Sequence, residues 1–167
     1  LKRLDVDVLS KRPDLVILMV GTNDMLNSRK FVSYEDYKSN INQMVKRIMN
    51  NSSQVLLMSP PTVDSLYLYN RHNKTLFVDT PNEKLQKASQ IVEEIAKENN
   101  IYFLDINSAF KDKSLPLHNQ DDYIINEKNS NKKDGVHLTA LGYRFIAEKV
   151  YQHLKENDVL HKYSSII

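Results

Sequence analysis

The chain has 167 residues, a net charge of +2 and no cysteine, which fits one domain and excludes a disulfide scaffold or a thiolate metal site. Its charged residues, 26% of the total, are of mixed sign, so we expect no nucleic-acid partner. No stretch approaches the roughly 18 apolar residues of a membrane helix, and we expect no membrane span. The compartment stays open, with the cytoplasm as the working expectation.

The first 24 residues predict a helix, a buried strand and a turn. Apolar residues share one helical face at the start of the chain: Leu1, Leu4, Val8 and Leu9. Leu15–Val20 is an unbroken apolar run rich in β-branched residues, typical of a strand buried on both faces of a parallel sheet. Gly21 ends this strand, and the turn formers Thr22, Asn23 and Asp24 follow.

The rest of the chain alternates helix and strand, as an α/β sheet requires. Capping signals at Ser33, Thr80 and Thr139 predict the starts of three helices. Val55–Met58 and Tyr102–Ile106 are the second and third predicted strands. Because crossovers between sequential parallel strands are right-handed, we expect the three strands to lie parallel and adjacent in chain order, with helices on both faces.

Two long connections interrupt this alternation. Residues 62–79 contain five aromatic or basic side chains: Tyr67, Tyr69, Arg71, His72 and Phe77. They either wall a substrate pocket or belong to an ordinary surface loop with a short helix. Residues 126–133 predict a solvated, mobile segment. Four histidines without a partner at metal-ligand spacing are interpreted as surface residues, so neither a metal site nor a cofactor is expected: His72, His118, His153 and His161.

Asn23 follows the first strand at the edge of the sheet where chemistry is expected. In open α/β sheets the ligand crevice lies at the carboxyl ends of the strands. A side-chain amide at that edge can donate a hydrogen bond to a developing oxyanion. The alternative is a plain turn asparagine, with Asp24 capping whatever follows.

Asp134 precedes His137 by three residues, near the C-terminus. A histidine that acts as a general base needs a second group that fixes its tautomer and stabilises the imidazolium. Asp134 is close enough in sequence to do this, which leaves the other ring nitrogen for a reacting hydroxyl. The alternative is a pair of surface loop residues.

The two segments together resemble the SGNH hydrolases, also called GDSL esterases/lipases. Gly21-Thr22-Asn23-Asp24 matches the family's Gly-x-Asn-Asp block, and Asp134 and His137 match its late Asp-x-x-His block. The flanks Arg12-Pro13-Asp14-Leu15-Val16 and Leu138–Tyr143 also resemble the family. The resemblance implies a flavodoxin-like, three-layer α/β/α fold. It also implies a Ser-His-Asp ester hydrolase in which His137 is the base, Asp134 orients it and Asn23 serves the oxyanion. Gly21, Thr22 and Asp24 would then contact substrate.

The chain departs from the family where the nucleophile should be. The family's Gly-Asp-Ser block and a second, glycine-bearing block are both absent, because the three glycines all lie in the segments already described: Gly21, Gly135 and Gly142. We therefore expect residues 1–167 to be a single, N-terminally truncated domain whose first strands are missing. Such a chain would be inactive alone, and the exposed edge of its sheet would promote self-association.

Three functions compete at this stage. The first is an esterase that acts on a small-molecule acyl or acetyl ester, including esters of carbohydrates. The second is a non-catalytic pseudoenzyme or binding module with the same fold. The third, a flavodoxin- or receiver-like signalling domain, is disfavoured because Asp105 lacks the acidic cluster that a phospho-acceptor needs.

Overall fold

The three predicted strands form one parallel sheet. A computed structural model describes residues 3–159. In it, β1 (Leu15–Met19), β2 (Gln54–Met58) and β3 (Tyr102–Leu104) pair in the order β1-β2-β3. Both pairings are parallel. The predicted order and direction of the strands are therefore confirmed. Leu1, the first residue of the predicted N-terminal helical face, lies outside the described residues.

Helices connect the strands and cover both faces of the sheet. Their bounds are as follows: α1 Leu4–Asp7, α2 Thr22–Leu26, α3 Tyr34–Asn50, α4 Ser65–Leu68, α5 Pro81–Asn99, α6 Ile106–Asp112, α7 Glu127–Ser130 and α8 Ala140–Glu156. Two short 3-10 helices span Leu9–Lys11 and Lys74–Leu76.

The sheet separates two hydrophobic clusters, and alternate side chains of β2 enter each of them. Val55 and Leu57 pack in the cluster that α3 and α5 cover. Leu56 and Met58 pack in the other cluster, with α6 and α8. A strand buried on both faces is the signature of a parallel α/β sheet, so the predicted three-layer α/β/α architecture is confirmed.

All three predicted helix caps are present. The side chain of Ser33 accepts a hydrogen bond from the backbone N–H of Asp36 at the start of α3. Thr80 and Glu83 form a reciprocal capping box before α5, and Thr139 caps α8. These caps satisfy backbone N–H groups that a helix start leaves unpaired, and they fix where each helix begins.

Two local predictions about the strand ends were wrong. The third strand ends at Leu104, before the predicted Ile106, because Asp105 becomes the N-cap of α6 and accepts a hydrogen bond from the backbone of Ser108. The predicted turn Thr22–Asp24 is instead the first part of α2. In both places the chain turns directly from strand into helix at the carboxyl edge of the sheet.

The segment at residues 126–133, which was predicted to be solvated and mobile, has five exposed residues but also folds into a short helix. Asn126 is fully buried and forms a capping box with Asn129 at the start of α7. The amide of Asn129 also donates to the carbonyls of Asp121 and Ile124, at 2.9 and 2.7 Å. Side-chain amides therefore satisfy the backbone of this polar stretch and fold it against the domain.

Candidate active site

Asp134 and His137 meet in a tight turn directly before α8. One carboxylate oxygen of Asp134, Oδ1, accepts hydrogen bonds from the backbone N–H groups of Val136 and His137, at 2.8 and 2.7 Å. The other, Oδ2, lies 2.8 Å from Nδ1 of the His137 ring. An ionised carboxylate can only accept hydrogen bonds, so Nδ1 carries the proton and Nε2 has a free lone pair.

The two side chains differ in exposure in the way that a base and its orienting group require. Asp134 has 18% of its side chain exposed, whereas His137 has 64% exposed. Burial raises the pKa of Asp134, but the hydrogen bonds from the backbone and ring of His137 and the backbone of Val136 outweigh it, so the net pKa is lowered. The orienting carboxylate is therefore ionised at neutral pH, beside an accessible imidazole.

The turn is held in place by the segment that follows β2. Gly135 has a φ of 74°, and its carbonyl accepts a hydrogen bond from the backbone N–H of Asp64 at 2.7 Å. A Cβ at this position would lie 2.9 Å from Cβ of Tyr67. Glycine is needed here both for its positive φ and for this close approach.

Asn23 lies beside His137 at the carboxyl edge of the sheet. It is the second residue of α2, and both side chains line two adjoining cavities of about 350 and 180 Å³. The side-chain amide of Asn23 is exposed and makes no hydrogen bond to any residue that the structure describes. A free amide next to an oriented histidine can donate to an oxyanion that forms between them.

The other residues of the Gly-x-Asn-Asp segment divide between two places. Thr22 lines the smaller cavity together with Asn23 and His137. Asp24 instead lines a separate cavity with Tyr37. Gly21, with a φ of 121°, gives the Tyr37 ring room to reach the carbonyl of Val20, to which its hydroxyl donates at 2.9 Å. The geometry thus brings Thr22 to the site and leaves Gly21 and Asp24 facing away from it.

The long connection after β2 contributes charge to the site, whereas its aromatic rings contribute packing. Arg71 and His72 line the larger cavity, and Arg29 from the segment after α2 joins them. Tyr69 and Phe77 pack against the hydrophobic cluster under α3 and α5. No local sequence pattern marks Arg29 as a site residue, because Arg71, His72 and His137, which line the cavity with it, are distant in sequence.

His118 is an exposed residue, as predicted, but it also has a carboxylate partner that the sequence did not indicate. Its Nδ1 lies 2.6 Å from Oδ2 of Asp64, whose side chain is only 2% exposed. The other oxygen of Asp64 caps α4 by accepting from the backbone of Leu66 and Tyr67. A second Asp–His pair is therefore hydrogen-bonded, through the backbone of Asp64, to the turn that carries the first pair. Its partners are 54 residues apart in the sequence, too far for a local pattern to indicate.

No metal or membrane feature accompanies the site in the part of the chain that the structure describes. Among residues 3–159, no three histidine, aspartate or glutamate side chains lie close enough together to hold a metal ion. None of the helices in the same range is long and apolar enough to cross a membrane.

A parallel α/β/α sheet with an Asp-oriented histidine and a free amide at its carboxyl edge has the architecture of the α/β hydrolytic enzymes. The family model described as GDSL-like Lipase/Acylhydrolase matches residues 1–150, so the chain belongs to that family. The family resemblance predicted from the sequence is therefore confirmed.

Individual relatives agree with the family assignment. The chain is 25% identical, over 117 residues, to an acetylxylan esterase from Geobacillus stearothermophilus; the match covers 66% of this chain and 49% of the relative. A crystal structure of an acetylxylan esterase from that organism superimposes with a TM-score of 0.70 at 21% identity, covering 92% of this chain and 64% of the other. A second acetyl xylan esterase superimposes with a TM-score of 0.68 at 23% identity, over 90% and 72%.

These comparisons establish the fold and also show a difference in length. The chain spans about half the length of the curated relative that it matches. Catalytic mutants of the Geobacillus esterase replace a serine, an aspartate and a histidine, and the last two are three positions apart in that protein.

Proposed function

We propose that this chain is part of a carboxylic-ester hydrolase in which His137 is the general base, Asp134 orients it and Asn23 stabilises the oxyanion. One observation carries the proposal: Asp134 holds the His137 ring by Nδ1 at 2.8 Å, at the mouth of cavities that the ring shares with Asn23. A base, its orienting group and an oxyanion donor that converge on one space can serve one reacting carbon.

The chemistry follows from these positions. Nε2 of His137 takes the proton of a serine hydroxyl as the serine oxygen attacks the ester carbonyl. The carbonyl electrons move to the oxygen, where the Asn23 amide donates a hydrogen bond, and Asp134 stabilises the imidazolium. Collapse of the intermediate expels the alcohol, which takes the proton from His137. Water then releases the acyl group through the same base, and the serine is regenerated.

The serine of this mechanism is, in our proposal, supplied by sequence outside the given chain. Among the described residues, no serine hydroxyl is hydrogen-bonded to His137. Ser28 does lie 2.9 Å from Nδ1 of His72. His72, however, has no carboxylate partner among those residues, and burial, together with the charges of Arg71 and Arg29, lowers its pKa. It is therefore a weaker base than an imidazole supported by a carboxylate.

The proposed substrate is an acyl or acetyl ester, including the acetyl ester of a carbohydrate. Two relatives described as acetylxylan esterases support this choice. The three-position spacing of the catalytic aspartate and histidine in the Geobacillus esterase, which is also the spacing of Asp134 and His137, supports the residue roles.

The test is hydrolysis of p-nitrophenyl acetate by the longer protein that carries a Gly-Asp-Ser block before this sequence. In that protein, His137→Ala should lower kcat by several orders of magnitude, and Asp134→Asn by about 10³–10⁴-fold, because the tautomer is lost. Asn23→Ala should lower kcat by about 10²–10³-fold, the usual cost of one oxyanion donor. Lys132→Ala, an exposed change outside both cavities, should leave it unchanged. Full activity in His137→Ala would overturn the proposal.

A binding module without turnover is the second candidate, and the absence of a serine beside His137 among residues 3–159 favours it. The two functions differ in their response to a fluorophosphonate. An esterase should be labelled on one serine and lose its turnover in proportion to labelling. A binding module should bind acetylated xylo-oligosaccharide without releasing acetate and should resist labelling.

A further inference from the structure

Two arginines line the larger cavity, and we call them the arginine wall: Arg29 and Arg71. Asn23 and His137 line the same cavity, as do the buried side chains of Leu26 and Leu68. No aspartate or glutamate is among the side chains that line this cavity. Its two guanidinium groups outnumber the one nearby carboxylate, that of Asp134, so the site has a positive potential that attracts anions.

The guanidinium groups of the arginine wall have few ion-pair or hydrogen-bond partners among the described residues. The exposed Arg29 guanidinium makes no ion pair and donates no hydrogen bond within residues 3–159. Arg71 donates to the backbone carbonyl of Asp134 at 3.1 Å, and its other terminal nitrogen lies 3.9 Å from Oδ2. That oxygen already accepts from His137 at 2.8 Å, so Arg71 keeps donors available for a ligand.

The two arginines also act on His72, which lines the same cavity. Burial lowers the pKa of His72 most, and the positive charges of Arg71 and Arg29 lower it further. Nδ1 of the ring is also engaged by Ser28 at 2.9 Å. The two guanidinium groups therefore act on the same point inside the cavity, although they come from segments 42 residues apart in the sequence.

From this geometry we propose that the larger cavity binds an anionic group, a carboxylate or a phosphate, on the alcohol part of the ester. Guanidinium groups match both anions with paired hydrogen bonds. The smaller cavity, lined by Met19, Pro61 and Leu138, would hold the acyl side. The preferred substrate is then an acylated acidic sugar, such as a uronic acid or a sugar phosphate, over a neutral one. This specificity rests on the proposed function; anion binding itself does not.

A purely structural role for the arginines gives different results. Arg71 alone could serve to brace the Asp134 turn through the contact with its carbonyl. Arg29 has no such contact, so a bracing role predicts that Arg29→Gln has no effect on ligands. An anion site predicts that Arg29→Gln and Arg71→Gln both weaken binding. Arg144→Gln removes the same charge from an exposed position on α8 and serves as the matched control.

The experiment is an NMR titration of the full chain that follows the arginine Nε–H signals with glucuronate, glucose-6-phosphate and neutral glucose. Glucuronate, the phosphate or both should shift the Arg29 and Arg71 signals and bind at least about tenfold tighter than glucose, the gain of one charge-assisted pair. Whichever of glucuronate and glucose-6-phosphate binds more tightly identifies carboxylate or phosphate as the preferred anion. Each of Arg29→Gln and Arg71→Gln should lose most of this preference, and Arg144→Gln none of it. Equal binding of glucose and both anions, or equal loss in Arg144→Gln, would overturn the proposal.

Turnover is measured separately, so that the two proposals can fail independently. In the longer protein, the ratio of kcat/KM for p-carboxyphenyl acetate over p-carbamoylphenyl acetate should fall at least about tenfold in Arg29→Gln. Anion binding without any turnover in the longer protein would reject the hydrolase and leave the anion site standing. If the longer protein hydrolyses both acetates and Arg29→Gln leaves their kcat/KM ratio unchanged, the anion site is rejected and the hydrolase is retained.

Discussion

The backbone N–H of Asp64 donates a 2.7 Å hydrogen bond to the carbonyl of Gly135, and through this contact the segment after β2 sets the position of the candidate base. Asp64 is itself fixed from two sides, since its carboxylate caps α4 and contacts His118. The orientation of His137 therefore depends on a series of contacts: His118 contacts Asp64, and Asp64 binds the turn that carries His137.

We predict that Gly135→Ala destabilises the domain and disorganises the Asp134 turn. An alanine at a φ of 74°, with its Cβ against Tyr67, should lower the free energy of unfolding by about 1–3 kcal/mol. Urea unfolding measures the stability, and the ¹⁵N signals of His137 report whether Nδ1 still carries the proton. Lys132→Ala is the control. A variant with wild-type stability and an unchanged tautomer would contradict the role given to Gly135.

Removing the charge of Asp134 should produce a stability defect that depends on pH. Because the pKa of Asp134 in the folded state is lowered, its stabilising contribution is present above the unfolded pKa and is lost as the pH falls through the folded value. Asp134→Asn should therefore be less stable than the parent at neutral pH. The difference should shrink below about pH 4, near the unfolded pKa of aspartate.

Urea unfolding at neutral and acidic pH measures this difference. The control is Asp122→Asn, which changes an exposed carboxylate without a side-chain hydrogen bond among the described residues. A defect of equal size at every pH would show that Asp134 acts through packing and not through its charge.

The Asp64–His118 pair should be coupled energetically. His118→Ala leaves Oδ2 of a nearly inaccessible carboxylate without its 2.6 Å partner, which should cost about 1–3 kcal/mol of unfolding free energy. In a double-mutant cycle with Asp64→Asn, the two losses should add to more than the loss in the double variant. Additive losses would mean that the two side chains contribute independently. Leu117→Ala, at an exposed neighbouring position, controls for truncation of this loop.

Features encoded by short stretches of sequence were predictable. The apolar run from Leu15 marks a strand because it is continuous and rich in β-branched residues. The box at Thr80 and Glu83 marks a helix start because both partners lie within one turn. The contact between Asp134 and His137 was foreseeable for the same reason, since three residues separate them.

Features that depend on tertiary contacts were not predictable. Asp105 lies in an apolar stretch that fits a strand, but its side chain binds Ser59 and Ser89, both distant in sequence, and starts α6. Arg29 and Arg71 likewise line one cavity only because the segments that follow α2 and β2 lie at the same edge of the sheet. Periodicity gives the direction of a side chain relative to its own element, and nothing about which remote segment it will face.

We finally predict that the 167-residue chain self-associates through β1. Within residues 3–159, this strand pairs with β2 on one side and has no neighbouring strand on the other. Ile17, in its middle, is 45% exposed. An unpaired apolar edge offers backbone N–H and C=O groups to a second chain, whereas a lysine at such an edge opposes pairing.

Sedimentation velocity over a wide concentration range should therefore show reversible association that Ile17→Lys strongly reduces. Val78→Lys, which places the same charge at an exposed apolar position away from the edge, should not reduce it. If the parent stays monomeric, or if both lysine variants suppress association equally, β1 is not the contact. An N-terminal extension that adds a strand beside β1 should abolish the association without any substitution, because the edge is then paired.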